Sequence, residues 1–129
     1  MFGRYKLKNP DHMADVARGI DIMSTLANFN TGSALVIVDG RVLSVGTFEA
    51  PEDVLARASA LRRNKRRRCG VVVIGPREAV SEEIVTAAAS AGLSGVIIAF
   101  GDADRPPHKG PVVAHADQLG LIIAGAGLK

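Results

Sequence analysis

The sequence is poor in cysteine and in aromatic residues, and these two shortages exclude several classes of protein. It contains a single cysteine, Cys69, and no tryptophan, and aromatic residues make up 4% of its 129 residues. One cysteine can form neither a disulfide framework nor a cysteine-rich zinc site. Few aromatic side chains argue against a surface that binds single-stranded nucleic acid by base stacking. The core is therefore predicted to be aliphatic, and Cys69 is predicted to be a half-buried residue at the entrance to a strand.

Long apolar runs are also missing from the chain. No run approaches the roughly 20 residues that a helix needs to cross a bilayer, and the first residues are too polar to begin a signal peptide. A hydrophobic content of 47% and a charged content of 22% are typical of a globular domain. We therefore expect one domain in a cytoplasmic protein.

The formal net charge is +3, and the positive excess is concentrated in one run of basic residues. Six of the seven residues at 62–68 are Arg or Lys. One interpretation is the solvated end of a helix, where cations complement the helix dipole. Another is contact with phosphates, with Arg62, Arg66, Arg67 and Arg68 as the candidates, or with anionic lipid headgroups at a membrane surface. Nucleic acid is the least favoured partner because no aromatic residues accompany the run.

The centre of the chain predicts a β-α-β unit. Segments 71–74 and 96–99 are continuous apolar runs rich in β-branched residues, which indicates strands covered on both faces. Between them, Ser81 is placed to cap a helix, Glu82 and Glu83 fall in its first turn, and Gly92 is placed to end it. The two strands are predicted to lie in the middle of the sheet.

The remaining segments complete an α/β prediction. Helices are predicted to begin near Pro10 and Pro51 and to occupy 111–119, and Asp39-Gly40 predicts a β-hairpin. The spacing of Asp53 and Arg57 favours an ion pair on the second helix. The fold class is a single α/β domain with a mixed, mostly parallel sheet, one β-hairpin and β-α-β crossovers. Its strands are predicted at 33–38, 41–45, 71–74, 96–99 and 121–124, with a short edge strand at 5–8.

Spacing alone identifies no catalytic site. The loop at 101–110 and the helix after it carry acidic and histidine side chains that would suit a hard cation, but their spacing matches no defined metal-binding loop. The sequence has neither a serine elbow nor a glycine-rich phosphate loop that follows a strand. The side chains considered as metal ligands are Asp102, Asp104, His108, His115 and Asp117.

Several segments, taken in order, resemble one known family. They are MADVARG at 13–19, GSALVIVDGRVLSV at 32–45, LARASALR at 55–62, AASAGLSGV at 88–96 and AHADQLGL at 114–121. Their order and spacing resemble the C-terminal domain of the LpxI-type UDP-2,3-diacylglucosamine pyrophosphatases, a family also known as DUF1009-like. The resemblance extends over roughly residues 11–124.

The resemblance implies a lipid A enzyme that hydrolyses UDP-2,3-diacylglucosamine to lipid X and UMP in the cytoplasm. It also implies a divalent metal, Mg²⁺ or Mn²⁺, and an N-terminal domain ahead of this one. The family's Glu-Gly-Thr-Asp segment aligns with residues 49–52, so Glu49 and Glu52 are the implied catalytic carboxylates. The family's loop of the Lys-x-Pro-Lys-x-Gly-Gln-Asp type is shortened here to 75–79, and its acid has no counterpart.

Two functional hypotheses follow. The first is a stand-alone relative of the pyrophosphatase domain that binds a UDP-sugar lipid or a nucleotide and is not catalytic alone, with a partner chain that supplies the N-terminal domain. The second is a non-enzymatic module that oligomerises or binds an anionic ligand or nucleic acid. In that case, helices rich in small residues and aliphatic surfaces would build a homo-oligomer.

Overall fold

The computed structural model describes residues 10–62, 68–101 and 110–129, and the strand predicted at 5–8 lies outside them. Helices and strands follow one another in the order that the apolar pattern predicts. In chain order they are α1 (Pro10–Asn28), β1 (Ala34–Val38), β2 (Arg41–Gly46), α2 (Pro51–Leu61), β3 (Val71–Ile74), α3 (Glu82–Ser90), β4 (Gly95–Phe100), α4 (Pro111–Leu119) and β5 (Ile122–Gly127).

The strands form one mixed sheet in the order β2-β1-β3-β4-β5. β1 pairs antiparallel with both β2 and β3, whereas β3-β4 and β4-β5 are parallel pairs. The predicted fold class is confirmed, and the two central strands of the β-α-β unit lie inside the sheet. β2, β3, β4 and β5 all end on the same side of the molecule. We call that side the carboxyl end of the sheet and the opposite side the amino end.

Helices cover both faces of the sheet, which explains the continuous apolar runs. Val72 and Ile74 of β3 pack into a core with α2, α3 and α4, whereas Val71 and Val73 pack against α1 on the other face. Successive residues of a strand point to opposite faces of the sheet. Because helices cover both faces, all four side chains are fully buried. Gly19 lets α1 approach closely, since a Cβ there would stand 2.7 Å from Val73 Cγ2.

The predicted turns and caps are confirmed. Asp39 and Gly40 have φ angles of 50° and 78°, as the two central residues of a type I′ hairpin turn require. Their amides donate hydrogen bonds of 3.1 and 2.8 Å to the buried carboxylate of Asp15 on α1. The amide of Ile84 donates to Ser81 Oγ at 3.4 Å, so Ser81 caps α3.

Several strand bounds differ from the prediction by one residue, and two details differ more. β5 extends to Gly127 instead of ending at 124, because Phe100 of β4 continues the parallel ladder as far as Gly127. Arg57 pairs with Glu49, at 2.7 Å, rather than with Asp53. Helical spacing predicts only pairs within one helix. Glu49 lies in the loop before α2, so its contact with Arg57 could not be predicted in this way.

Across the described ranges, no helix is both long enough and apolar enough to cross a membrane.

Candidate functional site

A cavity of about 280 Å³ opens at the carboxyl end of the sheet. Three segments enclose it: the turn between α1 and β1, the loop after β2 and the loop after β3. In open α/β sheets, ligands bind in crevices beyond the carboxyl ends of the strands. This cavity is therefore the candidate ligand site. Its lining residues are Ala27, Asn30, Thr31, Gly32, Thr47, Phe48, Pro76, Arg77 and Glu78.

Arg77 is the one cation among the described residues that line the cavity. Its Nη2 donates a hydrogen bond of 2.9 Å to Oδ1 of Asn30, which ties the loop after β3 to the turn after α1. The Gly75 amide strengthens the same connection by donating to the Ser33 carbonyl at 2.7 Å. No sequence pattern predicts a role for Arg77 or Asn30, because a single arginine and a single asparagine in two distant loops carry no motif.

Glu49, one of the two implied catalytic carboxylates, is held in an ion pair. Arg57 donates to its Oε2 at 2.7 Å and also donates to the carbonyl of Val45 at 3.0 Å. The hydrogen bond from Arg57 is the main cause that lowers the pKa of Glu49 below its usual value of 4.5, and desolvation opposes it. Glu49 is therefore a carboxylate with a partner at neutral pH, and a ligand would have to share it with Arg57.

A buried hydroxyl lies close to this carboxylate. Ser33 is 1% exposed, and its Oγ has no hydrogen-bond partner among the described residues. A Cβ added to Gly46 would stand 2.5 Å from Ser33 Oγ and 3.1 Å from Glu49 Oε2, so both oxygens border the same small space. An unsatisfied buried hydroxyl is costly unless a partner arrives. No sequence pattern predicts a role for Ser33, because a serine at the start of a buried strand is an ordinary feature.

The described residues do not form a complete site for Mg²⁺ or Mn²⁺. Hard cations of this kind take several oxygen ligands, and the described part of the chain holds no group of three or more His, Cys, Asp or Glu side chains. Glu49 already faces the positive charge of Arg57, and Glu52 is exposed in the first turn of α2. The metal prediction for Glu49 and Glu52 therefore stays a prediction, and we derive no chemical step from it.

The other side chains considered as metal ligands form no metal-binding group among the described residues. Asp102, Asp104 and His108 lie outside the described residues. His115 lies on α4, where its Nε2 is 2.7 Å from Thr86 Oγ1 of α3, and the two groups share a hydrogen bond. Asp117 lies one half-turn further along α4.

The two described ends of the basic run lie at the amino end of the sheet, and Arg66 and Arg67 lie outside the described residues. Arg62 Nη1 donates to the Ala91 carbonyl at 2.9 Å and to the Gly92 carbonyl, which end α3. Arg68 Nη1 donates to the Leu119 carbonyl at the end of α4. Both arginines therefore cap helix carbonyls. The phosphate-binding role of the run stays a prediction.

Cys69 sits beside this run and is half-buried, as predicted. Its Sγ accepts a hydrogen bond of 3.3 Å from Arg62 Nη2.

The structure does not bring the carboxylates and the described arginines of the basic run together. Glu49 and Glu52 lie at the start of α2 and Arg62 at its end, and an 11-residue helix spans about 16 Å. A ligand that bound Glu49 and Glu52 would be separated from Arg62 by the length of α2.

The fold itself is found in a solved structure of another protein. It resembles the crystal structure of the apo form of dCMP deaminase from the cyanophage S-TIM5, with a TM-score of 0.57 over 92% of this chain and 99% of the deaminase. The two sequences are 12% identical, so the likeness concerns the α/β fold alone.

The family is given by the sequence comparison. The family model of the LpxI C-terminal domain matches residues 3–124, and the chain belongs to this family. The chain is also 30% identical, over 131 aligned positions, to UDP-2,3-diacylglucosamine pyrophosphatase LpxI of Caulobacter vibrioides. That alignment covers 90% of this chain and 46% of the relative, so the chain spans about half the length of that enzyme.

Proposed function

We propose that this chain is a ligand-binding relative of the UDP-2,3-diacylglucosamine pyrophosphatases of lipid A biosynthesis. It binds a UDP-sugar lipid or a nucleotide in the cytoplasm, in the cavity at the carboxyl end of the sheet. The name of its relative supports this ligand class. As an isolated chain, it hydrolyses the pyrophosphate bond slowly or not at all.

The position of Arg77 carries this proposal. The Asn30 side chain holds its guanidinium at the cavity, where its remaining N–H groups can donate to a phosphate. Hydrogen bonds between a guanidinium and a phosphate are strong because both groups are charged. Phe48 is 89% exposed at the same cavity and offers an apolar surface to a base or to an acyl chain.

The size of the cavity limits which part of the ligand it can hold. Small-molecule sites usually measure about 300–1,000 Å³, and this cavity of about 280 Å³ lies just below that range. It suits a nucleotide rather than a nucleotide with two acyl chains. The acyl chains of a UDP-sugar lipid would therefore lie outside it, against exposed side chains such as Phe48 and Phe29, the latter 76% exposed.

Low activity follows from what the described residues lack. Hydrolysis of a pyrophosphate with metal assistance needs a metal, an oriented water and cations on the phosphates. Arg77 supplies a cation, but Glu49 is paired with Arg57 and the described residues offer no complete metal site. If Mg²⁺ or Mn²⁺ binds, Glu49 and Glu52 are the carboxylates that would hold it. A partner chain with the N-terminal domain would then supply the missing groups.

Two assays test the proposal. In calorimetric titrations with UDP, we expect Arg77→Ala to weaken binding by about tenfold or more, which corresponds to about 1.4 kcal/mol. Arg18→Ala is the matched control, since Arg18 is an exposed arginine at the amino end. Equal binding by wild type and Arg77→Ala would contradict the proposed site.

The second assay measures UMP release from UDP-2,3-diacylglucosamine with Mg²⁺ or Mn²⁺ at micromolar protein. We expect little or no turnover by the isolated chain. Robust turnover that is lost in Glu49→Ala or Glu52→Ala would instead make these two carboxylates catalytic residues.

A further inference from the structure

We propose that β2 and the neighbouring face of α2 form the contact of a two-fold dimer, in which β2 pairs antiparallel with β2 of a second copy. The two five-stranded sheets would then join into one continuous sheet. This proposal is independent of the ligand site and concerns the surface on the outer side of β2.

In the part of the chain that the structure describes, no strand pairs with the outer side of β2, and apolar side chains of this strand are exposed. β2 stands first in the order of the described strands, and β1 is the one described strand that pairs with it. On β2 itself, Val42 and Val45 are 40% and 39% exposed. Open edges invite pairing unless charge, proline, a bulge or a cover protects them. The sequence of β2, RVLSVG, contains neither lysine nor proline, and its pairing with β1 has one irregularity opposite Val36 and Ile37.

One face of α2 borders this edge. The Gly46 carbonyl faces β1, since it accepts from the Ser33 amide at 3.0 Å. Backbone groups alternate along a strand, so the Val45 carbonyl, which accepts from Arg57 at 3.0 Å, faces outward. Arg57 therefore lies over the outer edge of β2. The exposed residues on the same face of α2 are Asp53, Ala56, Arg57 and Ala60.

The charges along this surface select a second copy in the antiparallel orientation. β2 begins at Arg41, and Glu49 and Glu52 follow its end. Antiparallel pairing places the basic end of each copy beside the acidic end of the other, whereas parallel pairing would oppose like charges. The same rotation brings Asp53 of α2 toward the partner's Arg57.

The surface is thus complementary to itself under a two-fold axis, the symmetry of most homodimers. Ala56 and Ala60 are small, so they let the two copies of α2 approach closely over the shared sheet. Arg57 would release the Val45 carbonyl to the partner's backbone and pair with the partner's Asp53.

Sedimentation velocity of the full chain over a micromolar concentration series tests the dimer. We expect the wild type to dimerise and Val45→Lys to raise the dimer dissociation constant by about tenfold or more, because it places charge at the strand–strand contact. Met13→Lys is the matched control, since Met13 is 55% exposed on α1, a helix that packs mainly over β1 and β3 rather than over β2. A wild type that stays monomeric, or equal dimerisation of all three proteins, would overturn the proposal.

A charge exchange tests the orientation without touching the apolar contact. We expect Arg41→Glu to weaken the dimer and Arg41→Glu with Glu52→Arg to restore it, because the two ends meet only in antiparallel pairing. Far-ultraviolet circular dichroism checks that each variant is folded. A double variant that dimerises no better than Arg41→Glu alone would overturn the antiparallel orientation.

Discussion

Replacing Gly75 by alanine should separate the two loops that form the ligand cavity. A Cβ at Gly75 would stand 2.2 Å from the Gly32 carbonyl oxygen and 3.1 Å from the Ser33 carbonyl oxygen. Both obstacles are backbone atoms, so no side chain can rotate away to make room. The loop after β3 must therefore move away from the turn that precedes β1.

The expected cost combines two effects. Forcing a methyl group into a packed site costs about 1–3 kcal/mol. The displacement would also stretch the 2.7 Å hydrogen bond from the Gly75 amide to the Ser33 carbonyl, and a hydrogen bond contributes about 0.5–1.5 kcal/mol. We expect Gly75→Ala to lower the free energy of unfolding by about 2–4 kcal/mol and to weaken UDP binding as well.

Urea unfolding followed by circular dichroism measures the first effect. Gly101→Ala is the matched control, because a Cβ at Gly101 would meet no atom within 4 Å and its φ lies outside the left-handed region. We expect this control to leave the stability unchanged or to raise it by less than about 1 kcal/mol. A loss of less than about 0.5 kcal/mol in Gly75→Ala would refute the steric reasoning.

Three further predictions concern the buried carboxylate, the ion pair and the basic run. Asp15→Ala should lower the free energy of unfolding in urea by about 2–4 kcal/mol, because two turn amides lose a charged acceptor; wild-type stability would contradict this. The folded pKa of Glu49 is lowered, so its ion pair stabilises the protein above the unfolded pKa and loses its effect as the pH falls through the folded pKa. The difference in unfolding free energy between wild type and Glu49→Gln should therefore vanish in acid, and a difference that is constant with pH would contradict the assignment. If the basic run binds phosphate, replacing Arg66, Arg67 and Arg68 by Ser should weaken UDP binding in a salt-dependent way; unchanged calorimetric titrations at low and high salt would support the solvated-helix interpretation.

The sequence predicts most of the fold because the determinants of its elements are local. The apolar runs of β3 and β4, the Asp39-Gly40 turn and the cap at Ser81 each depend on a few neighbouring residues. The extension of β5 to Gly127 could not be predicted, because it comes from pairing with Phe100 rather than from strand propensity in a segment rich in glycine.

The candidate site is predicted less well because topology assembles it. The family segment predicts a role for Glu49. Its ion pair with Arg57, eight residues further along the chain, joins a loop to a helix, and no local pattern predicts it. Arg77 meets Asn30 across 47 residues, and no local pattern reports such a contact. The basic run is conspicuous in the sequence, yet its described arginines lie at the amino end because residues 62–68 precede β3.

Backbone amide chemical shifts measured by nuclear magnetic resonance during a UDP titration test the central claim most directly. The proposed ligand lies between the loops at the carboxyl end of the sheet. We therefore expect the largest shift changes at 30–32, 47–49 and 77–78. The largest changes at 39–41, 68–70 and 119–120 would place the ligand at the amino end and would contradict the proposed site.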